Sequence, residues 1–409
     1  MLKFRWETQF KETEIGEIPR DWEVRRLGEI VEVKQGKNIS TLNLKEWGYP
    51  VFGANGLIGY ADIYHYEEPQ VLISCRGSTC GIVNWSLPKS YVNNNAMALL
   101  PKAINKKYLY FTMVLNFNSG RIDETITGTG QPQITKETLE PFLIIYPPLP
   151  EQSRIATVLS WFDDLIEVKK RQNEILEKTA MAIFKSWFID FEPFKDEEFV
   201  YNEELGKKIP KGWEVKRLGE VIKIESGGSA PQREEYFIEG KNPFVRVKHL
   251  TNQPCVEDAD FITDEAVELH SLKLYREGSI LFQRSGESLT FARVNILPFD
   301  AYIVNHLAVI PNLPSTKPWM EFSFFTLKNI LIEAIEERAG TALPYIRVSD
   351  IENKIINIPP PSLLQSFHSL VEPLFQKIIL NQKQIMTLRK IRDTLLPLLV
   401  FGKLRVEEL

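Results

Sequence analysis

Residues 150–190 read PEQSRIATVLSWFDDLIEVKKRQNEILEKTAMAIFKSWFID. Ile155, Leu159, Phe162, Ile166, Leu176, Ala180, Ile183 and Trp187 follow steps of four and three once the polar Lys169 and Asn173 are counted in. That alternation is a heptad seam, the mark of a helix that packs lengthwise on another helix. Pro150 suits the first turn, where a missing N–H costs no hydrogen bond. At 1.5 Å per residue such a helix extends roughly 60 Å, and its apolar stripe needs a partner. Residues 362–402 supply one. There Phe367, Val371, Leu374, Ile378, Ile385, Leu388, Leu395 and Leu399 repeat the alternation, interrupted by Asn381 and Arg392. Pro147, Pro148 and Pro150 precede the first seam as Pro359, Pro360 and Pro361 precede the second. These matched prologues favour a pair over two helices that each pack on their own domain. Proline lacks the N–H that a helix interior uses, so Pro373 predicts a start or a kink and Pro397 an end.

A second repeat frames the first. Residues 14–37, EIGEIPRDWEVRRLGEIVEVKQGK, return at 204–228 as ELGKKIPKGWEVKRLGEVIKIESGG. Pro19, Trp22 and Gly28 recur as Pro210, Trp213 and Gly219, an offset of 191 (210 − 19). The shared I-P-x-x-W-E-V-x-R-L-G-E is too long for chance. It predicts a turn feeding a short buried strand or helix start, with each tryptophan a core anchor. Pro132, Pro147 and Pro148 recur as Pro344, Pro359 and Pro360 at an offset of 212 (344 − 132), so the second copy is longer by 212 − 191 = 21 residues. The chain is therefore a tandem duplication, with too few units for a solenoid. It divides into a module at 1–149, a long helix at 150–190, a second module at 191–361 and a second long helix at 362–409.

Inside the modules the pattern is mixed. PQVLISCRGSTCGIVNW reads as strand, turn, strand, and SYVNNNAMALLPK as another strand. GSILFQRSGESLTFARVNIL and AYIVNHLAVIPN hold the same places in the second copy, so that Arg76 corresponds to Arg284 and Asn93 to Asn305. Short helical segments, KKYLYFTMVLN and WMEFSFFTLKNILIEAIEE, lead into the polar loops TGTGQPQIT and AGTALPYIR. The fold class is α+β: two mixed α/β modules in tandem, each followed by a long helix, the helices forming an antiparallel coiled coil with pseudo-two-fold symmetry.

Composition excludes several classes. No apolar run reaches membrane-spanning length, and MLKFRWETQF is not a signal peptide. Cys75, Cys80 and Cys255 are too few and too irregular for a disulfide framework, although the first two could pair. A cytoplasmic location fits this usage. The net charge of −5 gives no global nucleic-acid signature, so any DNA contact must rest on local patches. There is no G-x-x-x-x-G-K-[ST] phosphate loop, no nucleophile elbow and no metal-ligand spacing among the five histidines. The expectation is therefore no cofactor, no metal and no catalysis.

The alternation of modules and helices, the duplicated I-P-x-x-W opening and the helix exit FKSWFIDFEPF (184–194) resemble the specificity subunit of type I restriction-modification enzymes. The resemblance spans essentially the whole chain. It implies that each module is a target recognition domain reading one half of a bipartite, asymmetric site in double-stranded DNA. It further implies that the helices hold the readers apart and dock two methyltransferase subunits and, through them, restriction subunits. The competing reading is a coiled-coil scaffold that binds protein or glycan and no DNA.

Arginine can grip guanine O6 and N7 together, and asparagine or glutamine adenine N6 and N7. Candidate base contacts are Arg76, Ser78, Thr79, Asn93, Asn94, Gln131 and Gln133 in the first module. In the second they are Arg246, Lys248, His249, Arg284, Ser285, Arg293, Asn305 and His306. Lys34, Lys37 and Arg233 are candidate phosphate contacts. For each, a solvated or turn-capping side chain is the competing role.

Overall fold

The computed structural model describes residues 2–128, 130–284, 292–336 and 346–408. It divides into two compact units, Met1–Asp164 with Arg389–Leu409, and Leu165–Leu388. Both long helices form, over Leu149–Phe188 and Pro361–Val400, and each contributes a segment to either unit. Within each unit the two segments run antiparallel. In the first, Ile155, Ala156, Val158 and Leu159 share a buried core with Leu396, Leu399 and Val400, and Arg392 Nη1 lies 2.6 Å from Asp163 Oδ1. In the second, Lys169 Nζ donates to Gln384 Oε1 at 2.6 Å, and Asn381 Nδ2 to Asn173 Oδ1 at 3.0 Å.

The predicted seam holds with two differences. Towards the end of the first helix the buried positions are Phe184 and Phe188, one residue beyond the half-buried Ile183 and Trp187. A straight helix of 3.6 residues per turn drifts against a 3.5-residue pattern, and here Phe184 and Phe188 pack on Phe322 of the adjoining module. Pro373 and Pro397 neither start nor end the second helix, which runs through both. An interior proline costs about 3 kcal/mol. Val371 and Phe375 flank the first, and Leu396 and Leu399 the second, all buried. At about 1.5–3 kcal/mol for each such side chain, packing outweighs the lost bond.

The two modules share a topology. In the first, Val31–Gln35, Ala96–Pro101, Val71–Ser74 and Val83–Trp85 form a four-stranded antiparallel sheet, while Tyr91–Val92, Tyr49–Gly53 and Gly56–Ala61 form a smaller one. In the second, the order Glu225–Ser226, Leu307–Ile310, Ile280–Gln283, Val294–Ile296 matches the larger sheet. Asp260–Ile262, Asn242–Val245, Ala301–Ile303 and Leu274–Tyr275 match the smaller, with one strand added. SYVNNNAMALLPK is thus two strands rather than one. The chain leaves the small sheet after Val92 and joins the large one at Ala96, turning where Asn93 Oδ1 accepts the amide of Asn95 at 2.9 Å. Asparagine favours such local turns over a continuing ladder.

The duplicated opening folds alike in both copies. Glu23–Arg26 pairs with Leu143–Tyr146, Glu214–Arg217 with Ile355–Ile358, and one helical turn follows each. Phe10–Lys11 pairs with Ile18–Pro19 as Phe199–Asn202 pairs with Lys207–Pro210. Leu2–Trp6 pairs antiparallel with Leu404–Glu408, so residues near the two chain ends meet. Trp22 and Trp213 are both buried, but their surroundings differ. Trp22 Nε1 donates to Glu151 Oε2 at 3.0 Å, and Arg405 binds Glu151, Asp21 and Glu7 at 2.5–3.1 Å. Trp213 sits instead among Phe188, Phe191 and Phe194. Cys75, Cys80 and Cys255 are buried free thiols.

Removing one partner of a buried ion pair strands the others. Arg405→Ala is therefore expected to destabilise the first unit by about 3–5 kcal/mol, read from chemical denaturation of the chain. Burial pushes the Glu7 carboxyl up, but the amides of Gln9 and Thr8 with Arg405 and Arg5 outweigh it and hold the group at about 2. A depressed carboxylate contributes stability that is complete above its ordinary range and disappears as pH falls towards its folded value. Acid titration should show the first unit losing stability from about 4.5 down to about 2, and Glu7→Gln should flatten that profile.

Candidate nucleic-acid interface

In the first module four chain segments converge where the two sheets exchange the chain. The amides of Gly36 and Lys37 donate to the carbonyls of Ala96 and Val92, both at 3.0 Å. The backbones are so close that a β-carbon at Gly36 would lie 1.9 Å from the Asn93 carbonyl oxygen, so only glycine fits. Gln35 Nε2 reaches across to the Asn94 carbonyl at 2.7 Å. The Cys75 amide donates to the Asn95 carbonyl at 2.9 Å, and the Cys75 carbonyl accepts the Ile134 amide at 3.1 Å. Arg76 forms a bridge with Gln133, which in turn pairs with Thr127, and the Gly77 amide donates to the Pro132 carbonyl at 3.0 Å.

This lattice brings together Lys37, Arg76, Ser78, Thr79, Asn93, Asn94, Gln131 and Gln133. Lys37, Arg76, Ser78 and Gln131 are exposed; Thr79, Asn94 and Gln133 are half-buried; Asn93 is buried, its side chain spent on the turn. Lys34 lies beside them on Val31–Gln35, 3.3 Å from Glu32. Lys37 and Arg76 have no carboxylate partner among the described residues. Gln35, which ties three segments together, was not among the expected site residues; its place beside Gly36 was the available signal.

The second module repeats the lattice. Gly228 donates to the Ile303 carbonyl and accepts from Asn305, both at 2.7 Å, and a β-carbon at Gly227 would lie 2.2 Å from the Val304 carbonyl oxygen. The Arg284 amide donates to the His306 carbonyl at 3.1 Å, and its carbonyl accepts from Ile346 at 2.8 Å. Those are the two bonds that Cys75 makes in the first module. Arg284 therefore corresponds to Cys75 and not to Arg76, and by the same bonds Asn305 corresponds to Asn94 and not to Asn93. Successive strand residues point to opposite sides, so the two arginines do not play one role. Arg284 Nη1 is bound to Ser226 Oγ at 2.6 Å, whereas Arg76 is exposed.

Asn305 and His306 are exposed at the sheet exchange. Ser285 lies outside the described residues. The other candidates form separate groups. Arg246 and Lys248 both pair with Asp260, Lys248 at 2.7 Å, and His249 Nε2 lies 3.5 Å from the same carboxylate. Burial pushes the Asp260 carboxyl up, but Lys248 and Arg246 outweigh it and hold it low; burial pushes the His249 imidazole down, with Asp260 opposing. Arg293 Nε donates to Asn252 Oδ1 at 3.1 Å, and Arg233 pairs with Glu235 at 3.0 Å. Asp260 was not legible as their partner, being many residues away in sequence. No group of metal-ligating side chains occurs among the described residues, and no helix there is long and apolar enough to cross a membrane.

Each of the two modules locks a polar edge by close backbone approach beside a paired segment of the long helices. The family model for the type I restriction modification DNA specificity domain matches twice, at residues 19–178 and 210–389. The type I restriction enzyme MjaIX specificity subunit of Methanocaldococcus jannaschii is 50% identical over 430 residues, spanning 100% of this chain and 99% of that protein. The putative type I restriction enzyme MjaX specificity subunit of the same organism is 28% identical, again over 100% of this chain and 99% of that one. The crystal structure of a type I restriction-modification S subunit from M. genitalium is similar in fold, with a TM-score of 0.54 at 20% identity over 93% of this chain and 96% of that one. The chain belongs to the type I restriction-modification specificity subunit family. Its part in such a system is DNA recognition, without catalysis.

Arg76→Ala is expected to weaken binding at one half-site only, by about 1–3 kcal/mol for a bidentate guanine contact, and to leave the melting temperature unchanged. Arg284→Ala should lower the melting temperature, because it removes the bond to Ser226. Anisotropy titrations with duplexes altered in one half-site, beside thermal melts, check both.

Proposed function

We propose that the chain reads a bipartite, asymmetric site in double-stranded DNA, one half through each module, and docks two methyltransferase subunits and through them restriction subunits, in the cytoplasm. The observation that carries this is the repeated edge: the same lattice of backbone bonds presents different side chains in the two copies. Matching scaffolds with different edges suit two unlike half-sites. Lys37, Arg76, Ser78, Thr79, Asn94, Gln131 and Gln133 in the first module, with Asn305, His306 and the group around Asp260 in the second, are the proposed contacts. Lys34 and Arg233, each beside its own carboxylate, would take phosphates by exchanging partners, since exposed ion pairs are weak.

Sequencing the sites methylated by the chain together with its methyltransferase subunits tests the reading directly. A single bipartite sequence with a fixed unspecified spacer supports it; methylation without sequence preference refutes it. The chain alone, given S-adenosylmethionine, ATP and magnesium, should leave a plasmid unmodified, and methyl incorporation by it would contradict a recognition role.

In this reading the long helices set the spacer. Seven residues added to each at the level of the Asn173–Asn381 pair keep the heptad phase and lengthen each by about 10 Å. At 3.4 Å per base pair that is about three base pairs. The methylated sites should then keep both half-sequences and gain spacer, whereas an unchanged spacer would show that the helices do not measure it.

A further inference from the structure

The second module contains a segment that the first lacks. The first turns from Tyr49–Gly53 to Gly56–Ala61 through Ala54 and Asn55, whereas the second runs from Asn242–Val245 to Asp260–Ile262 through residues 246–259. The far part of this connection is fastened on two sides. Towards the larger sheet of the module, Asn295 Nδ2 donates to the carbonyls of Thr251, at 3.2 Å, and Gln253. The Ile296 amide donates to the Pro254 carbonyl at 2.8 Å, and the Val256 amide to the Ile296 carbonyl at 3.1 Å. Towards the first long helix, Gln253 Nε2 donates to Glu174 Oε1 at 2.9 Å, and Lys170 Nζ lies 3.7 Å from Glu257 Oε1. Lys170 and Glu174 are one turn apart on one helix face.

The near part of the same connection carries Arg246, Lys248 and His249. The Glu257 amide donates to the His249 carbonyl at 3.4 Å, and Arg293 is bonded to Asn252. A short stretch of chain therefore ties proposed DNA contacts of the second module to the helix that sets the spacer. We propose that residues 251–257 form a strap fixing this reading edge along the first long helix, with Lys170 and Glu174 as positioning residues for the distance between half-sites. The proposal rests on the DNA reading above. Its physical basis is that these contacts are polar and directional. A hydrogen bond and an ion pair one turn apart add a directional preference for one register to the apolar packing of the module on the helix.

The test uses the full chain with its methyltransferase subunits and the double variant Lys170→Ala, Glu174→Ala. Methylated-site sequencing should return the wild-type half-sites, now with spacers one base pair longer or shorter raised at least tenfold in frequency. Gel shifts on duplexes with graded spacers give the same readout without requiring methylation. A second variant, Lys170→Glu with Glu257→Lys, reverses the ion pair and should restore the single spacer length. A double variant that keeps one spacer length, whatever its melting temperature, overturns the strap and leaves the DNA reading intact. Changed half-site sequences in the double variant also overturn it. A wild-type complex with no bipartite preference would instead sink the DNA reading itself.

Discussion

A helix of forty residues with an apolar stripe cannot stand alone in water, and the organisation of this chain follows from how that stripe is covered. Within each unit the stripe is closed by an antiparallel segment of the other long helix, and the sheets pack onto the result. The buried polar residues are the informative exceptions. Asn173 and Asn381 are nearly inaccessible, 1% and 0% exposed, and bond to each other. Apolar side chains there would give more stability. A paired amide instead penalises every register in which its partner is missing, which is how a single polar position fixes alignment in paired helices.

The duplication shows which parts of the module were free to change. Where a long helix ends against the I-P-x-x-W turn, one copy bonds its tryptophan to Glu151 and sets over it Arg405, itself held by Glu151, Asp21 and Glu7, whereas the other surrounds it with three phenylalanines. Both satisfy the same requirement, that a large ring be buried with no stranded polar atom. The ionic version needs all its members, because each charge is tolerable only while paired. The glycines were not free: at Gly36 and Gly227 the opposing carbonyl leaves no room for a side chain in either copy.

The fold was largely legible in the sequence because its two signals are long. A heptad spread over forty residues survives local exceptions such as Pro373, and a twelve-residue repeat fixes the duplication. The site was less legible because it depends on short-range register. Cys75-Arg76 and Gln283-Arg284 look equivalent by their arginines, yet the backbone bonds shift one against the other by a residue. A shift of one residue in a strand turns the side chain to the other side, and gaps of unequal length between the anchors concealed it. The pairing of Arg246 and Lys248 with Asp260 was hidden for a different reason. It joins residues at the start of the connection 246–259 to the residue just beyond its end, and only folding reveals which carboxylate faces which cation.

Those pairings also bear on an acidic chain that binds DNA. A protein of net charge −5 has little long-range attraction for phosphate. The proposed contacts add less than their composition suggests, because Lys34, Arg233, Arg246 and Lys248 each face a carboxylate of the same module. On an arbitrary duplex, exchanging that carboxylate for a phosphate returns little free energy, since one ion pair replaces another. On the cognate duplex the base contacts add to the exchange. Self-neutralised cations therefore lower affinity by the same factor on every duplex, and the ratio of cognate to arbitrary binding is left to the base contacts. What such a subunit gives up is tightness and not discrimination, and docked partners are then the natural source of the missing phosphate attraction.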